Sequence, residues 1–270
     1  MHPAWLLLPL VFLGCGMPDP GHTRIIGHGG LGSHAAAPIN ARAAVEGALA
    51  MGLHGVELDV QLTADSVLVA YHEQHLEELT ACHGLVNALT WEELRHCAVT
   101  GRDGTAHPIE RLDSLLPRLA RAYPDADFTL DCKLFAAGDW WPYLHAYANA
   151  LVALDAIPLD ERPTGRHLHG RLLVECQVHD FLLLLQTKQP WIPLFLYGSD
   201  AEEATWRATT SRFAGITLRN DRINAEEVAF AQGLGLEVAV YGTGGRRGNR
   251  KALNKGVDRI QTDKPGLYAR

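Results

Sequence analysis

From residue 23 onward, short apolar runs alternate with longer segments of helical periodicity. The clearest run is Gly55-Val56-Glu57-Leu58-Asp59-Val60-Gln61-Leu62, which alternates strictly and predicts a strand. Val56, Leu58, Val60 and Leu62 take one face, and Glu57 and Asp59 share the other. Further strands are predicted at 24–28, 67–72, 127–134, 171–178, 193–197, 215–218, 237–241 and 259–262. Helices are predicted at 40–51, 109–122, 140–154, 180–188, 201–212, 224–234 and 250–255. Another opens at Thr90, where Glu93 three residues on completes a capping-box pattern.

Repeated strand–helix units over about 250 residues predict the α/β class and a TIM-type (β/α)8 barrel. Nine strands compete for eight places. The turn Thr63-Ala64-Asp65-Ser66 is too short for a parallel crossover, so 67–72 either returns antiparallel or makes the barrel irregular near its second and third strands. A doubly wound open sheet is the alternative. It usually carries GxGxxG after its first strand, and Gly27-His28-Gly29-Gly30-Leu31-Gly32 lacks that spacing.

Composition changes the picture little. The 270 residues are 47% apolar and 20% charged, ordinary for a globular enzyme. A formal charge of −7 and the lack of a long basic run argue against a nucleic-acid partner. Residues 1–22 stand apart from a single domain at 23–270. Trp5 to Gly14 is an apolar stretch too short for a mature span, and it fits a signal-peptide core. It runs into Gly14-Cys15, which resembles the lipobox of bacterial lipoproteins. That resemblance implies export to the periplasm or cell envelope and membrane anchoring through Cys15, with an ordinary cleaved signal peptide as the alternative. Cys82 and Cys97 flank a loop and short helix and can pair in an oxidising compartment. Cys132 and Cys176 lie in apolar runs and read as buried thiols.

In a barrel, reactive groups gather at the C-terminal ends of the strands. Those ends carry His28, Glu57, Asp59, His72, Glu73, Asp131, Lys133, Glu175 or Gln177, Arg219, Tyr241 and Thr262-Asp263. Two acids on one strand face repel and lose solvation, so a cation belongs between them. Hard oxygen ligands suit Mg2+ or Ca2+. His28 and His72 can serve as general acid and base, and Lys133 can hold an anionic phosphate. The plainer readings are solvated acids on an exposed strand and an Asp131–Lys133 ion pair.

The order and spacing of these motifs resemble the glycerophosphodiester phosphodiesterase family of phosphatidylinositol-phospholipase-C-like barrels. The resemblance is carried by His28-Gly29-Gly30, Pro38-Ile39-Asn40, Glu57-Leu58-Asp59-Val60, His72-Glu73, Leu89 to Leu94, Asp131-Cys132-Lys133 and Gly256 to Pro265. It implies metal-dependent hydrolysis of glycerophosphodiesters to glycerol 3-phosphate and an alcohol. His28 and His72 would be acid and base, and Glu57, Asp59 and Asp131 would hold one divalent cation. Lys133, Asn40 and Tyr241 would contact the substrate, a small phosphodiester or lipid headgroup. Three positions depart from the family pattern: Gly29 stands for an Arg, Ile39 for a Glu, and Tyr241-Gly242-Thr243-Gly244 for Trp-Thr-Val-Asn. A phospholipase D-like activity on lysophospholipids or sphingolipids, and a noncatalytic binding protein on the same barrel, are the competing expectations.

Overall fold

The computed structural model describes residues 17–160 and 168–269. The expected export segment, Cys15 included, falls outside them up to residue 16. In chain order the strands are β1 (Arg24–Gly27), β2 (Gly55–Leu62), β3 (Leu68–Ala70), β4 (Ala98–Thr100), β5 (Ala106–Pro108), β6 (Glu110–Arg111), β7 (Asp127–Cys132), β8 (Leu172–Cys176), β9 (Leu194–Gly198), β10 (Gly215–Arg219), β11 (Glu237–Thr243) and β12 (Arg259–Thr262). The helices are α1 (Arg42–Ala50), α2 (Trp91–Leu94), α3 (Leu112–Ala122), α4 (Trp140–Asp155), α5 (His179–Lys188), α6 (Ala201–Ser211), α7 (Ala225–Gly233) and α8 (Arg246–Lys255). None among the described residues is long and apolar enough to cross a membrane.

Eight parallel strands close in the order β1, β2, β7, β8, β9, β10, β11, β12, and β12 pairs back onto β1. The surplus strand is the antiparallel one. β3 returns along the end of β2, with Val60 opposite Ala70 and Leu62 opposite Leu68, and then pairs with β6. Its tight turn is held by the Thr63 hydroxyl, which accepts from the Val67 amide at 2.8 Å, while Ser66 takes φ 64°. The apolar face of β2 packs outward. Val56, Leu58 and Val60 are fully buried in one continuous core between barrel and helices. α3 presents Leu112, Leu115, Leu116 and Leu119 to that core, the i, i+3, i+4, i+7 stripe of an amphipathic helix.

Element ends differ from expectation where side chains compete for the backbone. α1 starts at Arg42 because Asn40 turns left-handed, φ 69°. α3 starts at Leu112 because Glu110 and Arg111 are taken up by pairing with β3. α8 starts four residues before the predicted position, where Asn249 donates to the Thr243 and Gly245 carbonyls at 2.7 and 2.9 Å. The β4–β5 hairpin has too short an apolar pattern to be expected at all.

Between β3 and β6 the chain makes an excursion at the C-terminal end of β2. It has its own small core of Val69, Tyr71, Leu76, Val86, Leu94, Cys97 and Ile109. Thr90 caps α2 as its sequence predicts, its amide donating to Glu93 at 2.8 Å. The Cys82–Cys97 disulfide cross-links this excursion across 15 residues. A core this small gains from a staple, and closing a loop of that length contributes about 3 kcal/mol. Replacing both cysteines by Ser should lower the unfolding free energy by about that amount in a denaturant titration. An unchanged midpoint would show that the excursion's packing suffices.

Candidate active site

β2 and β7 run side by side with Asp59 opposite Asp131. Strand alternation then sends Glu57, Asp59 and Asp131 into the barrel mouth together. One oxygen from each lies within 4.8 Å of the others. The residues are 1%, 1% and 9% exposed. At an effective dielectric of about 20, each pair of charges at that separation repels by about 3.5 kcal/mol. Three such pairs rival the whole stability of a domain. The cluster therefore needs protons, a basic side chain or a metal.

Lys133 supplies part of the answer. Its Nζ lies 2.6 Å from Asp131 Oδ2 and 3.1 Å from Asp59 Oδ1. Asn40 binds Asp59 twice: its Nδ2 donates to Oδ2 at 2.8 Å, and its Oδ1 accepts from the Asp59 amide at 3.0 Å. The amide of Gly29 donates to Glu57 Oε2 at 2.8 Å. Gly29 can do so because it has φ 53° and no side chain; a Cβ there would fall 2.3 Å from Ile39 Cβ. Gly29 and Ile39, the two departures from the family pattern, thus pack on one another. Lys133 alone leaves these three acids short of neutrality, so the donor set fits a hard divalent cation.

The histidines stand on either side of this cluster, and each is held by a second carboxylate. His28 Nδ1 is 2.7 Å from Asp263 Oδ1, which leaves Nε2 4.0 Å from Glu57 Oε2. His72 Nδ1 is 2.9 Å from Glu73 Oε1, with Nε2 4.0 Å from Asp59 Oδ1. Binding Nδ1 in this way fixes the ring and aims Nε2 at the acids. Gly32, φ 81°, lets the loop after β1 lie directly on the backbone of Asp263.

Electrostatics separate the acids. Burial and the neighbouring Asp59 charge push Glu57 well above the usual carboxylate range. Burial also raises Asp131, against the pull of Lys133. Asp59 is lowered: burial opposes ionisation, but Lys133, His72, His28 and the Asn40 hydrogen bond outweigh it. Burial works against a charged His28 as well, yet the Asp263 hydrogen bond and the charges of Glu57, Asp263 and Asp59 push it up to about 10. Glu175, beside Asp131 on β8, is raised to about 7 by burial and by the Asp131 charge. Its oxygens accept from Thr217 at 2.6 Å and Gln261 at 2.8 Å, so it is engaged apart from the cluster.

The remaining expected contacts lie across the mouth. Tyr241 stacks on Tyr197 with ring centroids 5.2 Å apart and their hydroxyls hydrogen-bonded. Arg219 is exposed and paired with Asp221, Nε to Oδ1 at 2.7 Å. Asn40 touches the cluster through Asp59. Asp263 and Glu73 gain roles that strand ends alone could not assign. The signal was their place beside a histidine at the mouth, but the pairing of Asp263 with His28 spans 235 residues.

The raised Glu57 sets a sign. A carboxyl whose folded-state pKa is raised stabilises the metal-free fold below the ordinary range, about 4, and loses that contribution as pH rises through the raised value. A divalent cation takes the proton's place, so its stabilisation should grow with pH. The rise in melting temperature on adding Mg2+ or Ca2+ should be larger at pH 8 than at pH 5. Equal shifts at both, or none, would contradict a cation on these acids.

Residues 31–267 match the glycerophosphoryl diester phosphodiesterase family model. A glycerophosphodiester phosphodiesterase of Bacillus altitudinis is 42% identical over 73 residues, 27% of this chain and 29% of the relative. One from Caldanaerobacter subterraneus is 31% identical over 112 residues, 42% of this chain and 45% of the relative. The match thus spans less than half the length of either curated relative. Solved structures extend over the whole fold. A glycerophosphodiester phosphodiesterase of Agrobacterium tumefaciens gives a TM-score of 0.71 at 22% identity, covering 92% of this chain and 100% of its own. A phosphodiesterase of Oleispira antarctica, solved in complex with the product sn-glycerol-3-phosphate, gives 0.73 at 20%, covering 92% and 94%. The chain belongs to the glycerophosphoryl diester phosphodiesterase family.

Proposed function

We propose that the protein hydrolyses glycerophosphodiesters to glycerol 3-phosphate and an alcohol, and that the reaction requires one divalent cation. The observation that carries this reading is the pair of Nε2 atoms, His28 and His72, each 4.0 Å from an acid of the same buried triad. The glycerol 3-phosphate bound to the Oleispira antarctica relative supports the substrate class. A Mg2+ or Ca2+ ion held by Glu57, Asp59 and Asp131 would neutralise phosphoryl charge and favour a deprotonated nucleophile.

The chain's own groups do the rest. The glycerol hydroxyl next to the phosphoester attacks phosphorus, and its proton passes to Nε2 of one histidine. The bond to the leaving alcohol breaks, and the other histidine gives that oxygen a proton. Water then opens the resulting cyclic phosphate with the two roles exchanged. Asp263 and Glu73 keep the rings aimed through both steps. Lys133 holds a phosphoryl oxygen, and the Tyr197 and Tyr241 hydroxyls are the polar partners for glycerol on the far side of the mouth.

Purified protein with Mg2+ or Ca2+ should release glycerol 3-phosphate from a panel of glycerophosphodiesters, and EDTA should stop it. His28→Ala or His72→Ala should lower kcat by about 10²–10⁴-fold while cation binding persists. A protein that binds the cation yet cleaves no phosphodiester would sink this reading.

We also propose that the chain is exported and anchored through Cys15. The disulfide between Cys82 and Cys97 supports an oxidising compartment. Labelling with radioactive palmitate in a bacterial host should mark the wild type and spare Cys15→Ser; label on neither, with the protein in the cytosolic fraction, would refute the anchor.

A further inference from the structure

A cavity of about 260 Å³ opens between the loop after β1 and the β3–β6 excursion. It adjoins the candidate active site, because Asn40 and His72 both line it. Its walls are mainly apolar: Ile39, Ala70, Leu79, Val99 and Ile109. We infer that this cavity receives the leaving alcohol of the substrate and selects an uncharged, mostly apolar one over the ammonium alcohols choline and ethanolamine. The inference rests on the phosphodiesterase reading and names which members of that substrate class the site prefers.

Three observations carry it. The first is polarity across the mouth. The loop after β1 and the β3–β6 excursion carry the apolar walls, whereas Tyr197 sits on β9, four strands round the closed barrel from β1, and Tyr241 on β11, two strands from it. Glycerol, with its hydroxyls, finds hydrogen-bond partners beside the tyrosines and none on the apolar walls. The alcohol half of the diester is then left to the cavity.

The second is charge. Arg102 lines the cavity and its fixed positive charge disfavours an ammonium group. The acid that lines it, Glu73, is turned to His72 Nδ1 at 2.9 Å and contributes to holding that ring. Arg102 donates to the Ser33 carbonyl at 3.3 Å, which keeps its guanidinium at the cavity rim. The third is size. The cavity lies just below the usual size of ligand pockets, roughly 300–1,000 Å³, which suits a short alcohol rather than a long acyl chain.

The experiment is a substrate comparison with the disulfide-intact protein and Mg2+. The butyl ester of sn-glycerol 3-phosphate is measured against glycerophosphocholine and glycerophosphoethanolamine. A preference of about tenfold or more in kcat/KM for the butyl ester is expected. Leu79 is 40% exposed at the rim, so Leu79→Glu adds a negative charge without burying it. That variant should cut the butyl-to-choline ratio about tenfold, mainly through KM. Cleavage of all three esters with the ammonium substrates equal or better overturns this inference alone. Cleavage of none overturns the phosphodiesterase reading together with it. A Leu79→Glu ratio equal to that of wild type also counts against the cavity, whatever the absolute rates.

Discussion

Mutual repulsion among three buried carboxylates is the constraint on which the rest of this structure depends. Glu57, Asp59 and Asp131 cannot all be charged so close together without compensation. Much of the surrounding chain can be understood as compensation. Lys133 bridges two of them, Asn40 donates to one, and the Gly29 amide donates to another. His28, pushed up to about 10 by these acids and Asp263, adds positive charge from one side, and each histidine is steadied by a carboxylate of its own. What remains is a concentrated negative site with one protein cation inside it. Such a site is costly to keep in a fold unless a metal or an anionic substrate brought by a metal uses it.

The barrel makes this arrangement cheap to hold in place. Parallel register between β2 and β7 sets Asp59 against Asp131 with no loop involved, so the cluster inherits the rigidity of the sheet. The flanking histidines come from strand ends and are fixed by neighbouring carboxylates, His28 by Asp263 just after the adjacent strand β12 and His72 by Glu73, the next residue. The excursion between β3 and β6 is a different kind of element. It has its own small core and a covalent staple, and it builds one wall beside His72. Rigid sheet holds the acidic cluster, and the stapled excursion holds the wall beside it.

Much of this was legible in the residues. The alternation of 55–62 placed Glu57 and Asp59 on one face, and the short Thr63–Ser66 turn excluded a parallel crossover, leaving an antiparallel return or an irregular barrel. The eight-strand closure followed once that strand was set aside. The illegible parts depend on contacts remote in sequence or on backbone dihedrals. Nothing local shows that Asn40 turns left-handed and grips Asp59, or that Asp263 reaches His28 across the barrel seam. The replacements at Gly29 and Ile39 read as two separate losses in the sequence. In the fold they are one packing unit, because a side chain on Gly29 would occupy the place of Ile39. The β4–β5 hairpin escaped notice because three-residue strands carry too little pattern.

The most direct test of the account is a crystal structure of the protein with Mg2+ or Ca2+ and glycerol 3-phosphate. The account predicts one cation bound by an oxygen from each of Glu57, Asp59 and Asp131, at about 2.0–2.6 Å, with Lys133 turned from Asp59 toward the phosphate. A cation bound elsewhere, with Lys133 still bridging Asp59 and Asp131, would contradict it.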